Sequence, residues 1–196
     1  MSRQRLIDAA RHVFAKKGYA EASLREIAEA VGIKTPSIYA HFDGKQALFE
    51  SVYAEITAEH VSYFAHLAQD SRTLEPLERI RHLLIGVDAF YDERPDAAEF
   101  SLRAAVDEQS TELPSLRQIF LDYESSLADA FRSAYREGLE TQAIRGPQDE
   151  AGFIALVLML MDGLFLQRAH YSTEVYAQRF EAAWQHLVSL MTEREN

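Results

Sequence analysis

Ser23-Leu24-Arg25-Glu26-Ile27-Ala28-Glu29-Ala30-Val31-Gly32-Ile33-Lys34-Thr35-Pro36-Ser37-Ile38-Tyr39-Ala40-His41-Phe42-Asp43-Gly44-Lys45-Gln46-Ala47-Leu48 packs three helix starts into one short run. Ser23 and Glu26 have the spacing of a capping box, in which the hydroxyl accepts a first-turn amide and the carboxylate returns to the serine N–H. Ile27, Ala28 and Val31 then point inward, and Gly32 stands where the chain must turn left-handed to leave the helix. Thr35 is placed to cap a second short helix with Pro36 at its first position. Asp43 is placed to cap a third, with Lys45 beside its positive end, where amides and ammonium together suit a phosphate. In the second helix Ile38 and Phe42 share the inward face, which leaves Pro36, Ser37 and Ala40 outward. Small Ala28, turning Gly32 and branched Ile38 are the spacing of a helix-turn-helix, and the outward face is small enough to enter a major groove.

Upstream, Leu6, Ala10, Val13 and Phe14 mark one face of a first helix that Gly18 ends. Downstream, a long helix is expected from Lys45 toward Gln69, with Leu48, Phe49, Val52, Ile56, Val61 and Phe64 as its buried stripe. Helical periodicity continues to the end and strand-type alternation is nowhere sustained, so the fold is expected to be all-α, with about nine helices. Pro36, Pro76, Pro95, Pro114 and Pro147 each sit where a helix can begin. They divide the remainder into helices near 76–93, 95–107, 114–138, 147–171 and 173–194, with a loop between Gly138 and Pro147. The expected division is a three-helix DNA-binding domain over 1–46 and a helical regulatory and dimerisation domain over 47–196.

Net charge is −11, but it is unevenly placed. Residues 1–50 hold eight Lys/Arg against six Asp/Glu, or +2, whereas the rest hold twelve against twenty-five, or −13. A locally positive head on an acidic body can approach phosphates by one end while the other is repelled. The absence of cysteine removes disulfides, Cys-based zinc sites and thiol nucleophiles, and fits a reducing cytoplasm. Met1–Ala10 has no continuous apolar core of a signal peptide, and the apolar stretch Phe153–Gln167 is interrupted by Asp162 and short for a bilayer, so neither export nor a membrane is expected. No Gly-rich phosphate loop, His-Glu-x-x-His or Gly-x-Ser-x-Gly occurs, so no enzyme and no cofactor is expected. Glu78 and His82 are four apart, but two ligands without a third read as a surface pair, and no metal site is assigned.

The runs Ala9–Phe14 with Gly18-Tyr19, Ser23–Ala28 and Ser37–Leu48 together resemble the TetR/AcrR family of transcription regulators, most specifically in Tyr39-x-His41-Phe42-x-x-Lys45-x-x-Leu48. The resemblance covers roughly the first quarter of the chain. It implies that Tyr39, His41 and Lys45 hold phosphates, that Thr35, Pro36, Ser37 and Ala40 face bases, that Ser23 and Arg25 touch the DNA backbone, and that Arg3 lies on an arm near the minor groove. It further implies a sequence-specific, ligand-responsive repressor bound as a dimer to a palindromic operator, the alternative being a regulator without an inducer.

In the body, residues Asp149–Gln167 are apolar on nearly all sides, and Tyr176, Phe180, Trp184, Leu187 and Met191 form a second wide stripe. Such helices must be covered on more than one face. They are therefore expected to pair with their copies in a homodimer, with Leu156, Leu160, Leu164, Tyr176, Phe180, Trp184 and Leu187 at the interface. Asp162 interrupts the run and either orients a ligand, with Gly163 leaving room beside it, or bonds a neighbour at the seam. Phe64, Phe100, Phe120 and Tyr123, with Asp162, are the candidates for a small lipophilic ligand site, although aromatic residues at helical spacing also serve as plain core.

Overall fold

The computed structural model describes residues 2–107, 113–145 and 149–192. Among them are eight α-helices and two 3-10 segments, with no strand. They run α1 (Arg3–Glu21), α2 (Leu24–Val31), the 3-10 segment Thr35–Ala40, α3 (Lys45–Asp70), the 3-10 turn Ser71–Thr73, α4 (Pro76–Ala89), α5 (Pro95–Val106), α6 (Pro114–Glu140), α7 (Glu150–Arg168) and α8 (Thr173–Thr192). Pro36, Pro76, Pro95 and Pro114 open helices as expected. Pro147 lies outside the described residues, and the helix beyond it starts at Glu150, where the Asp149 carboxylate accepts the Gly152 amide at 2.9 Å. Gly18 is non-helical (φ 75°, ψ 177°) and breaks α1 where the sequence places its end, with a short helical stretch running on to Glu21.

By internal packing the chain divides into two units, residues 1–60 with 91–123, and residues 61–90 with 124–196. In the first, α1 packs along α5 and against α2. An aromatic cluster explains why α5 joins this unit: the Phe100 ring lies 4.9 Å from Phe49 and 6.4 Å from both Phe14 and Tyr53. Around it Leu6, Ile7, Ala10, Ile27, Ile38, Leu48 and Val52 are buried, so apolar burial holds α2 and the 3-10 segment against α1 and α3.

In the second unit, Ile80, Leu83, Leu84 and Val87 of α4 pack toward α7, whose buried stripe is Phe153, Val157, Met161 and Leu164. Tyr135 stacks on Phe153 at 4.3 Å. Buried Arg79 donates to Glu137 at 2.7 Å and to Ser133 at 3.3 Å, and Arg168 donates to the Asp88 carbonyl at 2.6 Å. By length and composition α7 could cross a membrane, yet its 153/157/161/164 stripe is occupied by the chain's own core.

Candidate nucleic-acid interface

The capping box at Ser23 is complete. The Ser23 hydroxyl accepts the Glu26 amide at 3.3 Å, and the Ser23 amide donates to the Glu26 carboxylate at 3.2 Å. Lys17 also donates to Glu26, and this hydrogen bond, ahead of that from Ser23, holds the Glu26 carboxyl below its ordinary value. Gly32 takes the left-handed conformation (φ 74°, ψ 35°), and the Ile33 amide closes on the Ala28 carbonyl at 2.9 Å. An L side chain at that φ is strained even in open space.

The segment Thr35–Ala40 follows. It is a 3-10 helix over Thr35–Ala40 rather than an α-helix over 36–42. Its N-cap is Lys34 and no side chain caps it, so Thr35 does not play the capping role expected of it. The inward anchors hold in either geometry, because the Phe42 amide still reaches the Ile38 carbonyl at 3.0 Å and both side chains are buried. Pro36, Ser37, Tyr39, Ala40 and His41 are exposed, Tyr39 by 59%, and Thr35 is half-buried. Lys34 is exposed beside them, a candidate that sequence reasoning passed over although it directly precedes Thr35-Pro36. Five adjacent positions facing solvent around two buried anchors form a small polar and aromatic surface able to meet a groove and its flanking phosphates.

The remaining nominated residues make contacts within the chain. Arg3 is not on a free arm; it is the first residue of α1, its guanidinium lies 4.8 Å over the Phe42 ring, and it donates to the Ser51 hydroxyl at 3.0 Å. Arg25 is exposed and paired with Glu29 at 2.8 Å. Ser23 also donates its hydroxyl proton to Glu26 at 2.9 Å. Lys45, expected at a phosphate, donates instead to the carbonyls of Tyr19 (2.8 Å), Ala20 (3.2 Å) and Ala22 (3.1 Å). The start of α3 is supported by Gly44, whose carbonyl accepts the Leu48 amide at 3.2 Å, one residue after the expected Asp43 cap.

In the body, Phe64 and Phe100 are buried core residues, the first packed on Phe131 at 5.7 Å and the second on Phe49 at 4.9 Å. Phe120 is half-buried beside Tyr123, and the Tyr123 hydroxyl shares a 2.9 Å hydrogen bond with Nδ1 of fully buried His60. His60 fills the core position expected of its neighbour Val61, which is half-buried. A cavity of about 500 Å³ opens beside Arg132, Glu150, Ile154 and Leu158, and none of the five nominated ligand residues lines it. Asp162 lies on the exposed side of α7, with open space beside Gly163, and partial dehydration pushes its carboxyl upward. Of the expected interface residues, Leu164, Phe180, Trp184 and Leu187 are buried within their own chain, whereas Leu156 is exposed and Leu160 and Tyr176 are half-buried.

Residues 6–52 match the family model of bacterial regulatory proteins, tetR family. Over those residues the chain carries a tetR-family domain. The chain is 33% identical over 86 residues to the probable HTH-type transcriptional regulator ArpR of Pseudomonas putida, a match covering 44% of this chain and 40% of that regulator. The chain thus spans less than half the length of the first curated relatives it matches. An uncharacterised HTH-type transcriptional regulator of Bacillus subtilis, YvkB, is 23% identical over 95% of this chain and 93% of its own. Among solved structures, the transcriptional regulator FadR from Bacillus subtilis in complex with stearoyl-CoA shares the fold, with a TM-score of 0.75 at 16% identity, over 96% of this chain and 98% of that one. The TetR-family match and the exposed segment coincide, since the matched residues enclose Pro36–His41.

Proposed function

We propose that this protein is a sequence-specific DNA-binding transcription regulator acting in the cytoplasm as a homodimer, a repressor released from a roughly palindromic operator by a small lipophilic ligand, and not an enzyme. One observation carries the DNA reading: Ile38 and Phe42 are buried so that Pro36, Ser37, Tyr39, Ala40 and His41 stand in solvent on one short segment. Thr35, Pro36, Ser37 and Ala40 are assigned to base edges. Tyr39 and His41, with Lys34, are assigned to phosphates, and Ser23 and Arg25 lie near the backbone path.

The dimer is supported by α7. Between its ends Asp162 is the only charged residue, and Leu156, Met159 (72% exposed) and Leu166 leave an apolar face uncovered by the chain itself. In a chain of net charge −11, a second copy is the partner that brings an equally uncharged face. Ligand response is supported by likeness of fold to a regulator holding stearoyl-CoA. Tight packing of Phe64 and Phe100 favours the second reading, a regulator without an inducer. Thermal shifts with long-chain acyl compounds separate the two: a raised Tm supports the inducible form, and flat responses support the other.

The DNA reading is tested by selecting a duplex from random-sequence DNA and measuring variants on it. Tyr39→Ala and His41→Ala should weaken binding to every duplex and each lower the salt slope by about one. Ser37 or Ala40 substitutions should change the selected sequence. Selection returning the parental motif from those variants would remove their assignment.

A further inference from the structure

The reading segment is an excursion from the helical frame: the chain leaves α1 at Ala22, runs through α2 and Thr35–Ala40, and rejoins the frame at Lys45. One side chain ties the two ends of that excursion together. The Lys45 ammonium has three protons, and the carbonyls of Tyr19, Ala20 and Ala22 lie at 2.8, 3.2 and 3.1 Å. These carbonyls lie just past the Gly18 break in α1, up to and including its Ala22 cap, where helix-end carbonyls lack a following helical amide. The Lys45 nitrogen also sits 4.6 Å over the Tyr19 ring, itself 4.9 Å from Phe49 at an edge-to-face angle of 63°.

We infer that Lys45 is a positioning residue of the reading head, fixing Ala22 against the start of α3 so that Pro36–His41 is presented in a single orientation. The inference rests on the proposed contact of Pro36–His41 with DNA. A phosphate could take a Lys45 proton only by leaving one of the three carbonyls without its donor, in a half-buried site where that loss is felt. A compact ammonium on a flexible stem can serve three converging carbonyls. The planar guanidinium of arginine cannot, although it binds phosphates at least as well.

The test compares wild type, Lys45→Ala and Lys45→Arg at a temperature where circular dichroism shows each folded. Affinity is measured by fluorescence anisotropy on the duplex selected by wild type and on a scrambled duplex, between about 50 and 200 mM salt. Both variants should lose about tenfold in preference for the selected duplex, with scrambled-duplex affinity and salt slope unchanged. A general loss of stability would not move that ratio once the protein is folded. Lys45→Arg binding like wild type, or Lys45→Ala lowering the salt slope by about one while keeping its preference, would make Lys45 a phosphate ligand and overturn the inference. If Lys45→Ala does not fold, Lys45→Arg alone decides. Failure of wild type to bind any duplex would instead remove the DNA reading on which the inference depends.

Discussion

Ser23 acts twice at the start of α2, accepting the Glu26 amide and donating to the Glu26 carboxylate. Ser23→Ala is therefore expected to cost about 1 kcal/mol of stability, read from denaturant midpoints. The Glu26 carboxyl is depressed by Lys17 first and by Ser23 after it, so its contribution is present above the unfolded carboxylate value and is lost as pH falls through the folded one. The gap between wild type and Ser23→Ala should accordingly narrow in acid; a gap constant down to the acid transition would contradict the coupling. This cap was legible in the sequence because both partners are local. Lys45 was not, because its partners come from α1, more than twenty positions away, and nothing in the spacing distinguishes a lysine offered to phosphate from one turned back onto carbonyls.

At the scale of elements, the helix order and the starts at Pro36, Pro76, Pro95 and Pro114 could be read directly, since a proline at the first turn loses no hydrogen bond. The conformation of Thr35–Ala40 could not. Ile38 and Phe42 lie on one side in either helix type, so periodicity over so few residues leaves the pitch open. The same limit applies to α3, where His60 continues the 52/56/60/64 spacing in the core and its polarity concealed it until Tyr123 supplied a hydrogen bond. In α8 the apolar stripe was legible, and Phe180, Trp184 and Leu187 are buried within their own chain. A stripe announces that a face is covered but not by which molecule. What is left exposed on α7 is the face around Leu156, Met159 and Leu166, with Asp162 among them.

For the whole molecule, that placement of Asp162 makes the proposed dimer sensitive to protons. Burial raises the Asp162 carboxyl, and the Asp162 charge adds to the burial that raises Glu124. Covering the face with a second copy dehydrates Asp162 further, so the assembled state binds protons more tightly and association should strengthen as pH falls through the raised value. Sedimentation equilibrium should find Asp162→Asn more strongly dimeric than wild type at neutral pH and less dependent on pH; equal dissociation constants would place Asp162 outside the interface. A dimer also presents Pro36–His41 twice, which sets the spacing of the two reading segments on the duplex. Because the chain has no cysteine, Ser37→Cys creates a single attachment point for a tethered DNA-cleaving reagent. On the selected duplex, the tethered protein should cut in two patches about 34–36 Å apart along one face, while the same reagent on Glu181→Cys in α8 should not cut. Absence of cutting from Ser37→Cys on a duplex that the labelled protein still retards would contradict the claim that this segment meets the DNA.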